Sequence, residues 1–179
     1  MNPASNLIFI GPTGAGKTSI GRRAARHFGL RFVDADREIE QRSGAAIPII
    51  FECEGEPGFR AREREVIREL CGQRDLLIAT GAGAVLDAEN RQAMAEGGFI
   101  VYLRIGVEEQ LRRLRRDRSR PLLQAPDRES RLRAMATQRN PIYETLADLR
   151  FHSGNQPQGR LMAQLFSAIE KHWQRPELT

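Results

Sequence analysis

The chain has 179 residues, with 28 Lys and Arg against 23 Asp and Glu and a formal net charge of +5. That length suits one domain with a substantial core, so residues 1–179 are read as a single unit. No apolar run is long enough to span a membrane and no charged-then-apolar leader opens the chain, which excludes a membrane-embedded class; the excess of positive charge is compatible with anionic small molecules or with nucleic acid and does not choose between them.

Glycine and proline are scattered, with no linker-like run, repeat or low-complexity segment. Cys53 and Cys71 fit no metal-ligand spacing and are expected to be reduced, packed thiols. His27, His152 and His172 are isolated and receive no role.

The first element is a short apolar run, Leu7 to Ile10, with the composition of a buried strand. It runs directly into GPTGAGKT, Gly11 to Thr18, a full match to G-x-x-x-x-G-K-[ST]. A helical pattern follows, with Ile20, Ala24 and Phe28 at four-residue spacing and Gly29 as its stop. Strand, glycine-rich loop and helix together predict a phosphate cradle. Gly11, Gly14 and Gly16 free the backbone to aim amide N–H groups at phosphate oxygens, with Pro12, Thr13, Ala15 and Ser19 completing the wall. The helix start adds its positive dipole end, Lys17 reaches the β- and γ-phosphates, and the Thr18 hydroxyl binds Mg²⁺. Only two of the 28 basic residues are lysine, and one of them stands here, where a slim point charge suits the loop.

Arg31 to Asp34 reads as a second strand, ending in Asp34-Ala35-Asp36. Residues two apart on an extended chain share a side, so both carboxylates are expected to project from the strand's carboxyl end, where open α/β sheets place ligands. One could hold Mg²⁺ through water while the other accepts a substrate hydroxyl; the alternative is that Asp36 only caps a helix over 37–43. Residues 45–54 suggest a short helix. Residues 57–72 form a clearer one, with Phe59, Val66, Ile67 and Leu70 as its apolar stripe. On that helix Arg60 and Glu63 are neighbours at i and i+3, which spacing alone would assign to a solvated pair.

Leu76 to Ala79 is a third buried strand, running into Thr80-Gly81-Ala82-Gly83. Asp87 is placed to cap a helix over 88–96. Phe99 to Leu103 is a fourth strand, followed by a helix with Val107, Leu111 and Leu114 at core spacing. Residues 112–120 then hold six arginines, and Pro121 and Pro126 bracket the end of the stretch. A solvated face, a nucleic-acid patch or a lid over about 112–126 would each explain it. Aromatic side chains for base stacking are missing between Tyr102 and Tyr143, which favours the lid and argues against nucleic acid. A helix over 127–138 leads to Arg139-Asn140-Pro141-Ile142-Tyr143. A weak strand at 149–152, a turn-rich segment at 153–159 and a last amphipathic helix burying Met162, Leu165, Phe166, Ile169 and Trp173 complete the chain. Five short strands alternating with helices predict a three-layer α/β/α fold around a parallel sheet.

With these pieces in order the chain resembles the shikimate kinases, small P-loop enzymes of the nucleoside-monophosphate-kinase class. The resemblance spans about Leu7 to Tyr143. It rests on GPTGAGKT with Ile20-Gly21-Arg22, the Asp34/Asp36 doublet, EGEPGFRARE, TGAGAV, Arg120-Pro121-Leu122-Leu123 and Arg139-Asn140-Pro141-Ile142-Tyr143. It implies ATP as co-substrate, Mg²⁺ at Thr18 with Asp34 in its second shell, shikimate as acceptor, and a cytoplasmic monomer. It further implies that Asp36 orients the attacking hydroxyl, that Arg60 and Arg139 hold the shikimate carboxylate, and that Glu63 steadies Arg60 and touches substrate within a binding region over about 36–63. Arg120 would reach the transferring phosphoryl group from the lid, and Arg113 would lie near adenine. Gly81, Ala82 and Gly83 would face shikimate. The family usually has three consecutive glycines there, so Ala82 is harmless only if its backbone angle is an ordinary one. A kinase for another small acceptor and a nucleotide switch without turnover are the competing readings. No Asn precedes either lysine, as an Asn-Lys-x-Asp guanine motif would require.

Overall fold

In a computed structural model, residues 5–115, 127–154 and 157–175 are described. Five parallel strands form one sheet in the order β2-β3-β1-β4-β5: β1 Asn6–Ile10, β2 Arg31–Asp34, β3 Leu76–Ala79, β4 Gly98–Arg104 and β5 Leu149–His152. The central strands β1, β3 and β4 are buried almost throughout, as apolar runs covered on both faces must be. The helices are α1 Lys17–Phe28, α2 Ala35–Ser43, α3 Ile47–Cys71, α4 Ala88–Gly97, α5 Val107–Leu114, α6 Arg128–Leu146 and α7 Gln158–His172, with a short 3₁₀ turn at Ala84–Leu86.

Two hydrophobic layers flank the sheet. On one face Ile8, Ile10 and Ile78 pack under α2, α3, α4 and α6, through Ile39, Phe59, Ile67, Met94 and Tyr143. On the other, Leu7, Phe9 and Leu77 pack under α1 and α7, through Ala24, Leu165 and Ile169. Trp173, just past α7, closes that second layer edge-on against Phe28 at the end of α1, centroids 5.7 Å apart. The register at the sheet's other end is tied by Asn6, 1 % exposed. Its amide donates to the carbonyls of Gln73 and Gly97, and its Oδ1 accepts from the Leu76 N–H.

Four expectations change. The two helices read over 45–54 and 57–72 join as α3, interrupted at Gly55, whose φ of 69° and ψ of −177° are non-helical. Across that break the Glu54 carboxylate receives both Nε and Nη2 of Arg62, at 2.9 and 2.7 Å. Helix α6 does not stop before the Arg139-Asn140-Pro141 segment but continues to Leu146 with Pro141 inside it. Proline costs a helix one N–H bond there, and the buried side chains of Leu132 and Tyr143 on either side hold the element together. Helix α2 begins at Ala35, and its cap is Asp34, which accepts from the Arg37 N–H at 3.4 Å, rather than Asp36. Cys71 is a packed thiol, but Cys53 is exposed.

Candidate active site

All the site residues described lie at the carboxyl ends of β1, β2 and β3 or on the helices beside them. The phosphate loop leaves β1 at Gly11. That glycine has φ +143°, and a methyl there would sit 2.6 Å from the Leu103 carbonyl oxygen of the neighbouring strand. Pro12 to Ala15 form a closed turn, with the Ala15 N–H donating to the Pro12 carbonyl at 3.2 Å and Gly14 at φ +81°. Gly16, at φ +93°, caps α1 without any side-chain acceptor, which leaves the first amides of the helix available to an anion. The Lys17 ammonium donates to the carbonyls of Gly11 and Pro12, at 2.7 and 2.9 Å, so its positive charge lies along the loop. Thr18 Oγ1 donates to Asp34 Oδ2 at 2.7 Å, pairing the hydroxyl and the carboxylate that the sequence nominated for Mg²⁺.

The acceptor side is built around the turn Gly81-Ala82-Gly83. A methyl at Gly81 would lie 2.7 Å from Asp36 Oδ1 and 3.1 Å from Glu63 Oε1, and one at Gly83 would lie 2.6 Å from Arg60 Nη2. Asp36, Glu63 and Arg60 therefore converge on this turn from the first turn of α2 and from α3. The doublet does not share one side of a strand as expected, because the chain turns helical at Ala35. Asp34 faces the Thr18 hydroxyl of the phosphate loop instead, and Asp36 faces the turn. Arg60 Nη1 donates to Glu63 Oε2 at 2.6 Å, with Glu56 adding an outer carboxylate at 3.2 Å.

Glu63 is 1 % exposed. Burial pushes its carboxyl pKa up, and the Arg60 guanidinium opposes that shift. Burial also works against the Arg60 charge, but the Glu63 and Glu56 carboxylates outweigh it and hold the guanidinium above its usual range. The solvated-pair reading of Arg60 and Glu63 is thus corrected: Glu63 is a buried carboxylate that holds a half-buried guanidinium against the turn.

Ala82 takes no positive φ, since Asp75 is the only non-glycine residue described that does. Its carbonyl accepts from the Tyr143 hydroxyl at 2.5 Å, and Tyr143 is fully buried beside Tyr102, centroids 4.9 Å apart. Burial raises the Tyr143 pKa, with the neighbouring Arg139 charge acting the other way. Arg139 sits one turn before Tyr143 on α6, and its Nε is buried without a partner among the described residues. A water-sized cavity of about 10 Å³ separates Pro12, Thr13 and Gln110 from Arg139, Asn140 and Tyr143.

The family model for shikimate kinase matches residues 13–170. The chain belongs to the shikimate kinase family. It is 52 % identical over 179 residues to the shikimate kinase of Stenotrophomonas maltophilia strain R551-3, covering all of this chain and 99 % of that one. It is 50 % identical over 173 residues to that of Xanthomonas campestris pv. campestris strain 8004, covering 97 % and 96 %. The shikimate kinase from Acinetobacter baumannii in complex with shikimate superposes with a TM-score of 0.89 at 43 % identity, over 95 % of each chain. The fold expected from sequence, α/β with five parallel strands, is the shikimate kinase fold.

Arg120 and most of the lid expected over 112–126 lie outside the described residues. Arg113 is described. Its guanidinium donates to the Gly14 carbonyl at 3.1 Å, the Ser153 carbonyl at 2.7 Å and Glu109 Oε1 at 2.8 Å. Two residues the sequence reading left unassigned belong to the same surroundings. Ser153, 1 % exposed, donates its hydroxyl to the Ala15 carbonyl at 2.8 Å. Gln110, 3 % exposed, donates to the Thr13 carbonyl at 2.9 Å. A polar residue at an inward position of α5, in register with Val107 and Leu114, was the available signal for Gln110.

Proposed function

We propose that this site transfers the γ-phosphoryl group of ATP to the 3-hydroxyl of shikimate, giving ADP and shikimate 3-phosphate. The observation that carries the reading is the convergence of Asp36, Glu63 and Arg60 on the Gly81–Gly83 turn, beside a complete phosphate loop. Phosphoryl transfer needs little covalent help from protein; it needs positioning and charge neutralisation, and the two halves of the site divide that work.

On the donor side the loop amides, the start of α1 and Lys17 receive the β- and γ-phosphates, and Arg113 borders the adenine end. Thr18 and Asp34 would hold Mg²⁺, the hydroxyl as its ligand and the carboxylate from the second shell. When bound, the ion would neutralise phosphate charge. On the acceptor side Arg60 and Arg139 receive the carboxylate as charge-assisted forks, and Glu63 fixes Arg60. Asp36 orients the 3-hydroxyl and accepts its proton as the oxygen attacks phosphorus. Arg120 is proposed to approach the transferring group from the lid.

The test is coupled ADP release with Mg-ATP, with and without shikimate, beside quinate as a near-isostere. Strong dependence on shikimate with weak use of quinate is expected. ADP release indifferent to shikimate would overturn the acceptor assignment while leaving nucleotide binding in place.

A further inference from the structure

The phosphate loop is held from behind, carbonyl by carbonyl. Thr13, Gly14 and Ala15 present successive carbonyl oxygens to side chains outside the loop: Gln110, Arg113 and Ser153, at 2.9, 3.1 and 2.8 Å. A trans peptide is planar and points its C=O and the next residue's N–H in opposite directions. Holding a carbonyl on the outer side therefore holds the following amide on the inner side.

The Thr13–Gly14 peptide is the one most in need of holding. The 3.2 Å bond from Ala15 N–H to Pro12 O closes a four-residue turn, and Gly14, its second central residue, has φ +81°, the mark of a type II turn. Type I and type II turns differ by a flip of the central peptide. Glycine at the second central position tolerates both signs of φ, so the backbone alone does not choose. The flip would carry the Gly14 N–H from the phosphate side to the outer side and leave a carbonyl dipole facing the anion.

We propose that Gln110 is a positioning residue whose carboxamide fixes this peptide in its anion-binding orientation. Gln110 is buried on α5, close-packed against the loop, and a buried amide that gives its N–H to one backbone carbonyl costs free energy if that bond is broken. Arg113 and Ser153 hold the two peptides that follow. Lys17, whose ammonium lies on the Gly11 and Pro12 carbonyls, can leave them for the phosphates while the rest of the loop keeps its shape. The role rests on nucleotide binding at this loop, and it concerns ADP and ATP, not shikimate.

Two variants test it, with calorimetric dissociation constants for ADP and for shikimate measured separately on each, beside wild type. Gln110→Met keeps the length and removes the donor. Gln110→Glu keeps the shape, and in its ionised form sets an oxygen without a proton against the Thr13 carbonyl. At pH 8 both are expected to bind ADP at least tenfold more weakly, with shikimate affinity within twofold of wild type. As pH falls into the carboxylic acid range the Glu variant regains ADP affinity relative to wild type, because the neutral acid can donate again; the Met variant does not. ADP binding by Gln110→Met within twofold of wild type would overturn the proposal. So would a defect in the Glu variant that ignores pH, or equal loss of both ligands with a lowered Tm, which is the pattern of a packing residue. Wild-type protein that binds no ADP would remove the nucleotide reading itself, and this one with it.

Discussion

The phosphate loop and the acceptor turn are both glycine-rich bends at the carboxyl ends of neighbouring parallel strands, β1 and β3, yet they use glycine for different reasons. In the loop, Gly11, Gly14 and Gly16 all take positive φ, so the constraint lies in each residue's own backbone. In the turn none of the three residues does, and Gly83 has φ −90°. There the constraint comes from the neighbours. Asp36, Glu63 and Arg60 stand where a methyl on Gly81 or Gly83 would be, and Ala82, between them, takes no positive φ. One bend is demanded by conformation and the other by the close approach of three charged side chains.

The two bends can be separated by substitution. The largest effect is expected from Lys17→Met, which removes the charge at the phosphates; kcat should fall by about 10²–10³-fold, the scale of losing one strong transition-state donor, with shikimate affinity preserved in direct binding. Arg139→Ala should do the converse. It removes a charged hydrogen-bond partner worth roughly 2–4 kcal/mol in a desolvated site, so KM for shikimate should rise by about 30-fold or more while KM for ATP changes little. Equal effects on both substrates would dissolve the division between the halves.

Next in size is the contrast within the turn. Gly83→Ala forces a methyl against the Arg60 guanidinium and should weaken shikimate binding severely, whereas Ala82→Gly should leave both KM values alone and lower stability by about 0.4–1 kcal/mol through the freer unfolded chain. Denaturant melts and steady-state kinetics on the pair check this. Tyr143→Phe keeps the ring against Tyr102 and deletes the bond to the Ala82 carbonyl, at a cost of roughly 1 kcal/mol, seen as a several-fold rise in KM for shikimate alone.

The remaining contrast is between the two faces of the sheet. Cys71, Tyr102 and Tyr143 all belong to the core layer under α2, α3, α4 and α6, and among the described residues the core layer beneath α1 and α7 has no cysteine or tyrosine. Burial pushes the Cys71 thiol from 9.0 up to about 12. A neutral acid whose pKa is raised by folding contributes fully below its unfolded value and loses that contribution as pH rises, because only the unfolded state then releases the proton. Stability should therefore decline between pH 9 and 12, by up to about 1.4 kcal/mol per pH unit for this one group. Cys71→Ala should flatten the decline in melts followed against pH.

The same contrast explains what could be read from sequence. The loop was legible because a conformational demand is local: glycine spacing, the following Lys17-Thr18 and the flanking strand and helix all lie within a few residues. The strands were legible for the same reason, as continuous apolar runs between turn signals. The acceptor site draws on α2, α3, β3 and α6, and from local pattern alone Arg60 and Glu63 looked like a solvated pair. The directions of Asp34 and Asp36 depended on where α2 starts, and a helix that begins two residues earlier than expected took the two carboxylates off a common side. The helix expected over 127–138 runs on to Leu146, and the packing of Tyr143 beneath Ala82 that accompanies this extension is not a local pattern. Gln110 and Ser153 carry no motif; the loop carbonyls they hold, Thr13 and Ala15, are about a hundred positions or more away.

Trp173 offers a spectroscopic consequence. It is the single tryptophan of the chain, and it lies against Phe28, at the far end of α1 from the phosphate loop. Twelve helical residues put roughly 18 Å of rigid helix between that indole and the nucleotide. Intrinsic emission should therefore stay constant while either substrate binds and change when α7 leaves the sheet. That makes it a ligand-blind optical signal for unfolding, against which added fluorophores near the site can be calibrated.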